Sequence, residues 1–405
     1  MAVCLPVACR GVCSVAAASR SSDFPRLQDR SAELRKEVIM SYEAKPGIPF
    51  DEIDTPALLL DLEAFQRNVD RMASFFAGKP VSLRPHAKTH KCPQVALRQL
   101  AAGAIGITCA KVSEAAVMAS AGVTDLLIAN EIVSPPKIDR LTDLARTASL
   151  MVAVDDPANV LALSRACTAK GTCLRVLVDV DVGMRRCGVL PGEPAVALAH
   201  QIAKAPGLEF TGILAYEGHV VMTPNPQERE QKVRDAFAPL VTTCEALRRD
   251  GLPAQIVSGG GTGTYDMTGT CPPITEVEAG SYVFMDTTYL RIRPEFESSL
   301  TVLSTVVSRP MRDRVVTDTG MKAVTKEFGW PQPLDVPGAS FRSLSEEHGT
   351  LLLEDPPSVR LRPGDKIRFI PSHCCTTVNL YDRLHVLRRD VLVDIWPISA
   401  RGCAQ

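Results

Sequence analysis

The octapeptide Arg84-Pro85-His86-Ala87-Lys88-Thr89-His90-Lys91 crowds two lysines and two imidazoles into a loop between an apolar run at Val81–Leu83 and a helical pattern over Cys92–Ala102. A lysine so placed in a dry pocket gives up its proton more readily than one in water, and the free amine is the form that attacks a carbonyl carbon. A solvated basic loop has the same composition. A second stretch, Ser258-Gly259-Gly260-Gly261-Thr262-Gly263-Thr264, directly follows another apolar run. Consecutive glycines let backbone N–H groups approach a phosphate, and Ser258 and Thr262 can add hydroxyl donors. The pattern is neither a Walker loop nor G-x-G-x-x-G, and no second phosphate loop is evident, so a monophosphate cofactor fits better than a nucleotide. A plain flexible turn would read the same way. The third stretch is Pro371-Ser372-His373-Cys374-Cys375-Thr376-Thr377. At strand spacing His373 and Cys375 share one face, so an imidazole and a thiol can hold one metal and leave coordination positions open for a substrate. A buried thiol pair beside a packed histidine has that spacing too.

Elements that could position these groups follow a clear rhythm. Short apolar runs recur at Val81–Leu83, Gly106–Ala110, Leu126–Ala129, Leu150–Val154, Leu174–Val180, Phe210–Tyr216 and Gln255–Ser258. Helical patterns such as Leu62–Phe76, Val112–Ala121, Pro157–Ala169 and Gln227–Arg249 separate or precede them. This alternation predicts a parallel sheet covered on both faces, in the count expected of an (α/β)8 barrel, with a doubly wound sheet as the competing architecture. Beyond residue 299 the helices stop. Strand-like runs follow at Leu300–Val307, Arg314–Thr317, Lys366–Ile370, His385–Leu387 and Val391–Ile395, with turn signals at Pro331–Pro333, Pro356–Pro357 and Pro363-Gly364-Asp365. The chain therefore divides into an N-terminal tail (1–42), a strand and helix leading in (43–80), a barrel (81–298) and a mostly β domain (299–405). In a parallel barrel catalytic groups collect where strands end. The residues after each strand are His86, Lys88 and His90; Thr108 and Lys111; Asn130 and Glu131; Asp155; Asp179 through Arg186; Tyr216 with His219; and the glycine run.

Composition narrows the function classes. A net charge of −1 with acidic and basic residues intermixed gives no footprint for nucleic acid and no polybasic membrane patch. No apolar run approaches the roughly 20 residues of a membrane span. The 13 cysteines are scattered without C-x-x-C pairs, which implies reduced thiols and a reducing compartment. Met1–Arg20 is rich in Ala, Val, Ser and Cys and has no acidic residue. It suits a chloroplast or mitochondrial transit segment, while a disordered tail on a cytoplasmic protein has a similar composition.

Taken together, PHAKTHKCP around Lys88, GMRRCG (Gly183–Gly188), AYEGH (Ala215–His219), SGGGTGT, EVEAGSYVFMD (Glu276–Asp286) and PSHCCTT resemble the D-threonine aldolase and D-serine dehydratase family. These are pyridoxal-phosphate enzymes of the alanine-racemase fold, and the similarity runs from about Asp54 to Gly402. It implies pyridoxal phosphate on Lys88, its phosphate held by Gly259–Gly263, and a divalent metal (Mn, Mg or Zn) at His373 and Cys375. Arg186, Tyr216 and Tyr282 match family positions near the cofactor, with Arg186 on the phenolic-oxygen side. The resemblance also places Ala57–Asp61 in the β domain and makes Thr275–Phe284 the closing barrel strand. A homodimer is implied. The expected substrate is a β-hydroxy-D-amino acid such as D-threonine, cleaved to glycine and an aldehyde, with Lys88, His86 and His219 as catalytic groups. Dehydration of D-serine or 3-hydroxy-D-aspartate to a 2-oxo acid and ammonia is the alternative, because the thiol of Cys375 stands where some family aldolases place a carboxylate.

Overall fold

Strand β1 (Ala57–Asp61) is followed by eight short strands whose apolar residues are buried on both sides. These are β2 (Ser82–Leu83), β3 (Ile107–Cys109), β4 (Asp125–Glu131), β5 (Ser149–Val154), β6 (Leu174–Asp179), β7 (Leu208–Ala215), β8 (Ile256–Gly259) and β9 (Glu276–Val277). The computed structural model describes residues 44–354 and 359–405. The transit-segment expectation and the turn expected at Pro356–Pro357 lie outside them. The eight strands pair in parallel in the order β2-β9-β8-β7-β6-β5-β4-β3. A parallel bridge between His86 and Thr108, with Thr108 N–H donating to Pro85 O at 2.9 Å, joins the two ends and closes the barrel.

Alternation along the strands sorts the core into two parts. Leu127, Met151, Ala153, Leu177 and Leu214 pack together inside the barrel, while their neighbours Leu126, Ile128, Val152, Val176, Val178 and Ile213 join the larger core beneath the helices. The inner cluster fills the middle of the barrel. Below it the interior turns ionic: the buried Arg84 guanidinium donates to Glu276 at 2.9 Å and to Asp125 at 2.5 Å, and Arg175 reaches Asp125 at 3.0 Å. The strand expected over Thr275–Phe284 is shorter, because Ser281–Val283 forms a turn of 3-10 helix.

The second sheet contains β1 and eight later strands: β10 (Leu300–Met311), β11 (Arg314–Thr317), β12 (Gln332–Pro333), β13 (Ser340–Leu344), β14 (Gly349–Leu352), β15 (Lys366–Ile370), β16 (Arg383–Arg388) and β17 (Val391–Pro397). β1 lies between β10, antiparallel, and β16, parallel, as the family resemblance implies. Asp286 ties the two sheets together at the site. Its carboxylate accepts the N–H groups of Thr288 and Tyr289 at 3.1 and 2.8 Å and that of Cys374 at 3.0 Å. The loop leaving the barrel therefore holds the loop leaving β15.

Candidate active site

The strand C-terminal ends surround a cavity of about 350 Å³, within the range of small-molecule sites. Lys88 enters it from a 3-10 turn, Ala87–Thr89, whose first N–H groups need an acceptor. His86 supplies one: its Nδ1 accepts the Lys88 N–H at 3.3 Å. Burial holds His86 well below the usual histidine range, and the charge of Lys88 adds to this. His86, expected among the catalytic groups, lines the cavity with its Nδ1 occupied as a cap on Lys88. His90 is fully buried beneath, its Nδ1 accepting the Cys92 N–H at 3.1 Å, and burial lowers it to about 3.

Across the cavity stand Tyr216 and Arg186. The Lys88 Nζ is 5.6 Å from the centroid of the Tyr216 ring, and the Arg186 guanidinium carbon is 5.8 Å from it. Burial pushes the Tyr216 phenol up, and Glu217 adds to this, so it stays protonated. Gly260, Gly261 and Thr262 form the neighbouring wall. Gly260 has φ +77°, a conformation that favours glycine. Of the other predicted phosphate ligands, Ser258 is buried and donates to Glu278 at 2.8 Å, while Gly259 and Gly263 lie outside the lining against the backbone oxygens of Ala215 and Val221. Tyr282 is also outside. The 3-10 turn at Ser281–Val283 sends its side chain into the core, where the hydroxyl accepts from Gln99 at 2.9 Å.

His219, expected as a proton carrier, is exposed and lies against Gly183. The turn closed by Val220 N–H donating to Glu217 O at 2.9 Å carries it outside the cavity lining. Glu278, which was not among the residues expected at the site, also lines the cavity. Burial pushes its carboxyl up to about 7 against the hydrogen bond from Ser258, with Glu276 reinforcing the rise. A signal existed, since Glu276 and Glu278 are two residues apart and both point into the barrel. On the far wall Asp179 is held above the usual carboxylate range by burial, then by Glu131 and Asp155, with Arg186 opposing. Among the described residues, ligand atoms of Glu131, Asp155 and Cys187 lie within 4.8 Å of one another.

His373 and Cys375 do come together, but not through strand alternation. Cys374–Val378 is a short helix with His373 at its N-cap. Cys375 Sγ is 3.3 Å from Thr89 Oγ1 and 3.7 Å from Ser281 Oγ, two residues that line the cavity. The Cys374 thiol and then His373 hold Cys375 well below the usual thiol range despite burial. Burial opposes charge on His373, but contacts with Cys375 and Glu327 outweigh it and raise the imidazole to about 9. Glu327 Oε1 is 2.7 Å from His373 Nδ1, and Phe328 stacks on the ring at 4.2 Å. Once His373 gives up its second proton to an incoming ion, its Nε2 and the Cys375 sulfur would offer a nitrogen and a thiolate donor beside the cavity, a set suited to a zinc-like ion. The cavity likewise suits a phosphorylated aldehyde: Lys88 offers an amine, and a Cβ built on Gly261 would meet nothing nearer than 3.6 Å.

Comparison with known proteins gives a consistent picture. The family description "Alanine racemase, N-terminal domain" matches residues 60–288, and "Putative serine dehydratase domain" matches residues 299–387. D-threonine aldolase of Arthrobacter sp. is 42% identical over 92% of this chain and 99% of its own length. A solved D-threonine aldolase from Filomicrobium marinum superposes with a TM-score of 0.87 at 41% identity, covering 90% of this chain and all of the other (100%). A D-threo-3-hydroxyaspartate dehydratase, solved as a cysteine-to-alanine variant in the metal-free form, gives a TM-score of 0.79 at 29% identity over 86% of this chain and 98% of that one.

Proposed function

The chain belongs to the family of D-threonine aldolases and D-serine dehydratases on the alanine-racemase fold, and from that premise we propose that it is a lyase cleaving D-threonine and related β-hydroxy-D-amino acids to glycine and an aldehyde. The observation that carries this reading is the shared cavity of Lys88, the Gly260–Thr262 wall and, at its edge, the Cys375 sulfur. Lys88 would be the attachment point for pyridoxal phosphate, and the wall of Gly260, Gly261 and Thr262 would receive the phosphate, with the Thr262 hydroxyl as donor and the glycines giving room. His373 and Cys375 hold a divalent metal. When bound, these groups supply an electron sink for the bond broken at Cα and a Lewis acid for the β-oxygen.

The residues divide the remaining work. Lys88 would hold the cofactor and, whenever its amine is free, could serve as a base in the cavity. His86 fixes the backbone of Lys88 by capping it. The protonated Tyr216 and the cationic Arg186 bound the opposite wall, and Glu278, balanced between its two forms near pH 7, can give or take a proton. A homodimer belongs to the same reading, and light scattering on the purified protein tests it.

Borohydride reduction of the purified holoprotein followed by peptide mapping should place the cofactor on Lys88. D-threonine should then give acetaldehyde and glycine, with L-threonine inert. A label on Lys91 or Lys111 would overturn the attachment, and ammonia with a 2-oxo acid as the main products would replace cleavage by dehydration.

A further inference from the structure

Glu217 follows the cavity residue Tyr216 yet does not line the cavity. Its side chain is fully buried behind the glycine run. One carboxylate oxygen accepts the Gly260 N–H at 2.9 Å, and the other accepts the hydroxyls of Thr264 and Thr268 at 2.7 and 2.6 Å. Burying a carboxylate among neutral donors is costly, so the arrangement persists only because all three bonds are made together. What they fix is the backbone between β8 and the short helix Tyr265–Thr268.

That backbone shape decides which donors face the cavity. The Gly260 N–H is committed to Glu217, and the Gly261 N–H points to Thr264 Oγ1 at 3.3 Å. Thr262 Oγ1 accepts the Tyr282 N–H at 3.0 Å, which leaves its own hydroxyl hydrogen free to donate. We propose that Glu217 is a positioning residue for the phosphate end of the bound cofactor: by anchoring Gly260, Thr264 and Thr268 from behind, it aims Thr262 at the phosphate. This rests on the reading of Gly260–Thr262 as the phosphate wall. Glutamine can keep the shape, because its oxygen can accept the Gly260 N–H while the two threonine hydroxyls rotate to accept from its amide. Alanine cannot.

The test compares pyridoxal phosphate with pyridoxal, which has the same ring and aldehyde but no phosphate, by equilibrium binding followed in the visible spectrum. Glu217→Ala should raise the Kd for pyridoxal phosphate about tenfold or more and leave that for pyridoxal within about twofold. Glu217→Gln should stay within about threefold of the unsubstituted protein for both ligands. Thr268→Val, which removes one of the three bonds, should weaken pyridoxal phosphate selectively by about threefold, and it decides the matter if Glu217→Ala does not fold. Equal loss of both ligands would reduce Glu217 to a structural residue, and no loss of either would remove its role. If the unsubstituted protein itself binds the two ligands equally well, the phosphate wall falls, whatever the variants do.

Discussion

The buried acids and imidazoles of the site respond to pH in opposite senses, and Glu278 is where this can be measured. Its carboxyl is raised by burial from 4.5 to about 7, so between those values the folded chain binds more protons than the unfolded one. Stability contributed by that group therefore falls as pH rises through this window. His86 and His90, both held below the ordinary histidine range, act the other way: their contribution is lost as pH falls below about 6.5. The two trends overlap and mask each other in the unsubstituted protein. Glu278→Gln should separate them, since the variant lacks only the falling contribution. In urea titrations of the cofactor-free protein, its unfolding free energy relative to the unsubstituted chain should grow by up to roughly 3 kcal/mol from pH 5 to 7.5. A constant difference over that range would mean that Glu278 ionises normally.

Elements place the two halves of the site by a few close approaches. Gly280 sits where a Cβ would lie 2.7 Å from Thr89 Oγ1 and 2.8 Å from His86 O, so the loop after β9 can touch the Lys88 turn only through glycine. Gly280→Ala should push the two apart, costing about 1–3 kcal/mol in thermal or urea unfolding and lowering turnover along with stability. The loop after β15 is set by Asp286, whose hold on the Cys374 N–H starts the short helix. That acceptor lies 88 residues away, which is why His373 and Cys375 read at strand spacing in the sequence although a helix begins there. Tyr282 was misplaced for a similar reason, a turn replacing the end of the closing strand. His373→Ala should cut zinc or manganese content at fixed free metal by about tenfold or more while leaving the cofactor's visible absorption in place. Full metal retention would move the metal to other donors, and the Glu131, Asp155 and Cys187 group would be next to examine.

Across the whole molecule, what the sequence reveals follows the direction of burial. Strands buried on both faces, such as Leu126–Ile128 and Val152–Val154, stand out as apolar runs; of the polar groups after them Asn130 and Glu131 line the cavity, whereas Asp155 does not. β13 and β14 did not stand out: in β13 only Phe341 and Leu344 are buried, and exposed Ser340, Arg342 and Ser343 dilute the pattern. The ionic base of the barrel is hidden for another reason, since Arg84 begins the basic octapeptide and reads as part of the site. It points the opposite way. Its side chain is 3% exposed and bridges Glu276 and Asp125 at the N-terminal ends of the strands, where a barrel carries stability and not chemistry. Arg84→Met removes the charge that pairs both acids. The buried Glu276 is left without its partner, while Asp125 keeps Arg175 and access to solvent. A cost of about 3 kcal/mol in unfolding free energy is expected, at the lower end for breaking a buried ion pair. At a temperature where the variant stays folded, the Kd for pyridoxal phosphate should be within about twofold of the parent, because the inner apolar layer lies between this network and the phosphate wall, whereas Glu278, which feels both Glu276 and Arg84, should hold its proton to higher pH. A large rise in that Kd in a folded Arg84→Met protein would show that the base of the barrel also sets the phosphate wall.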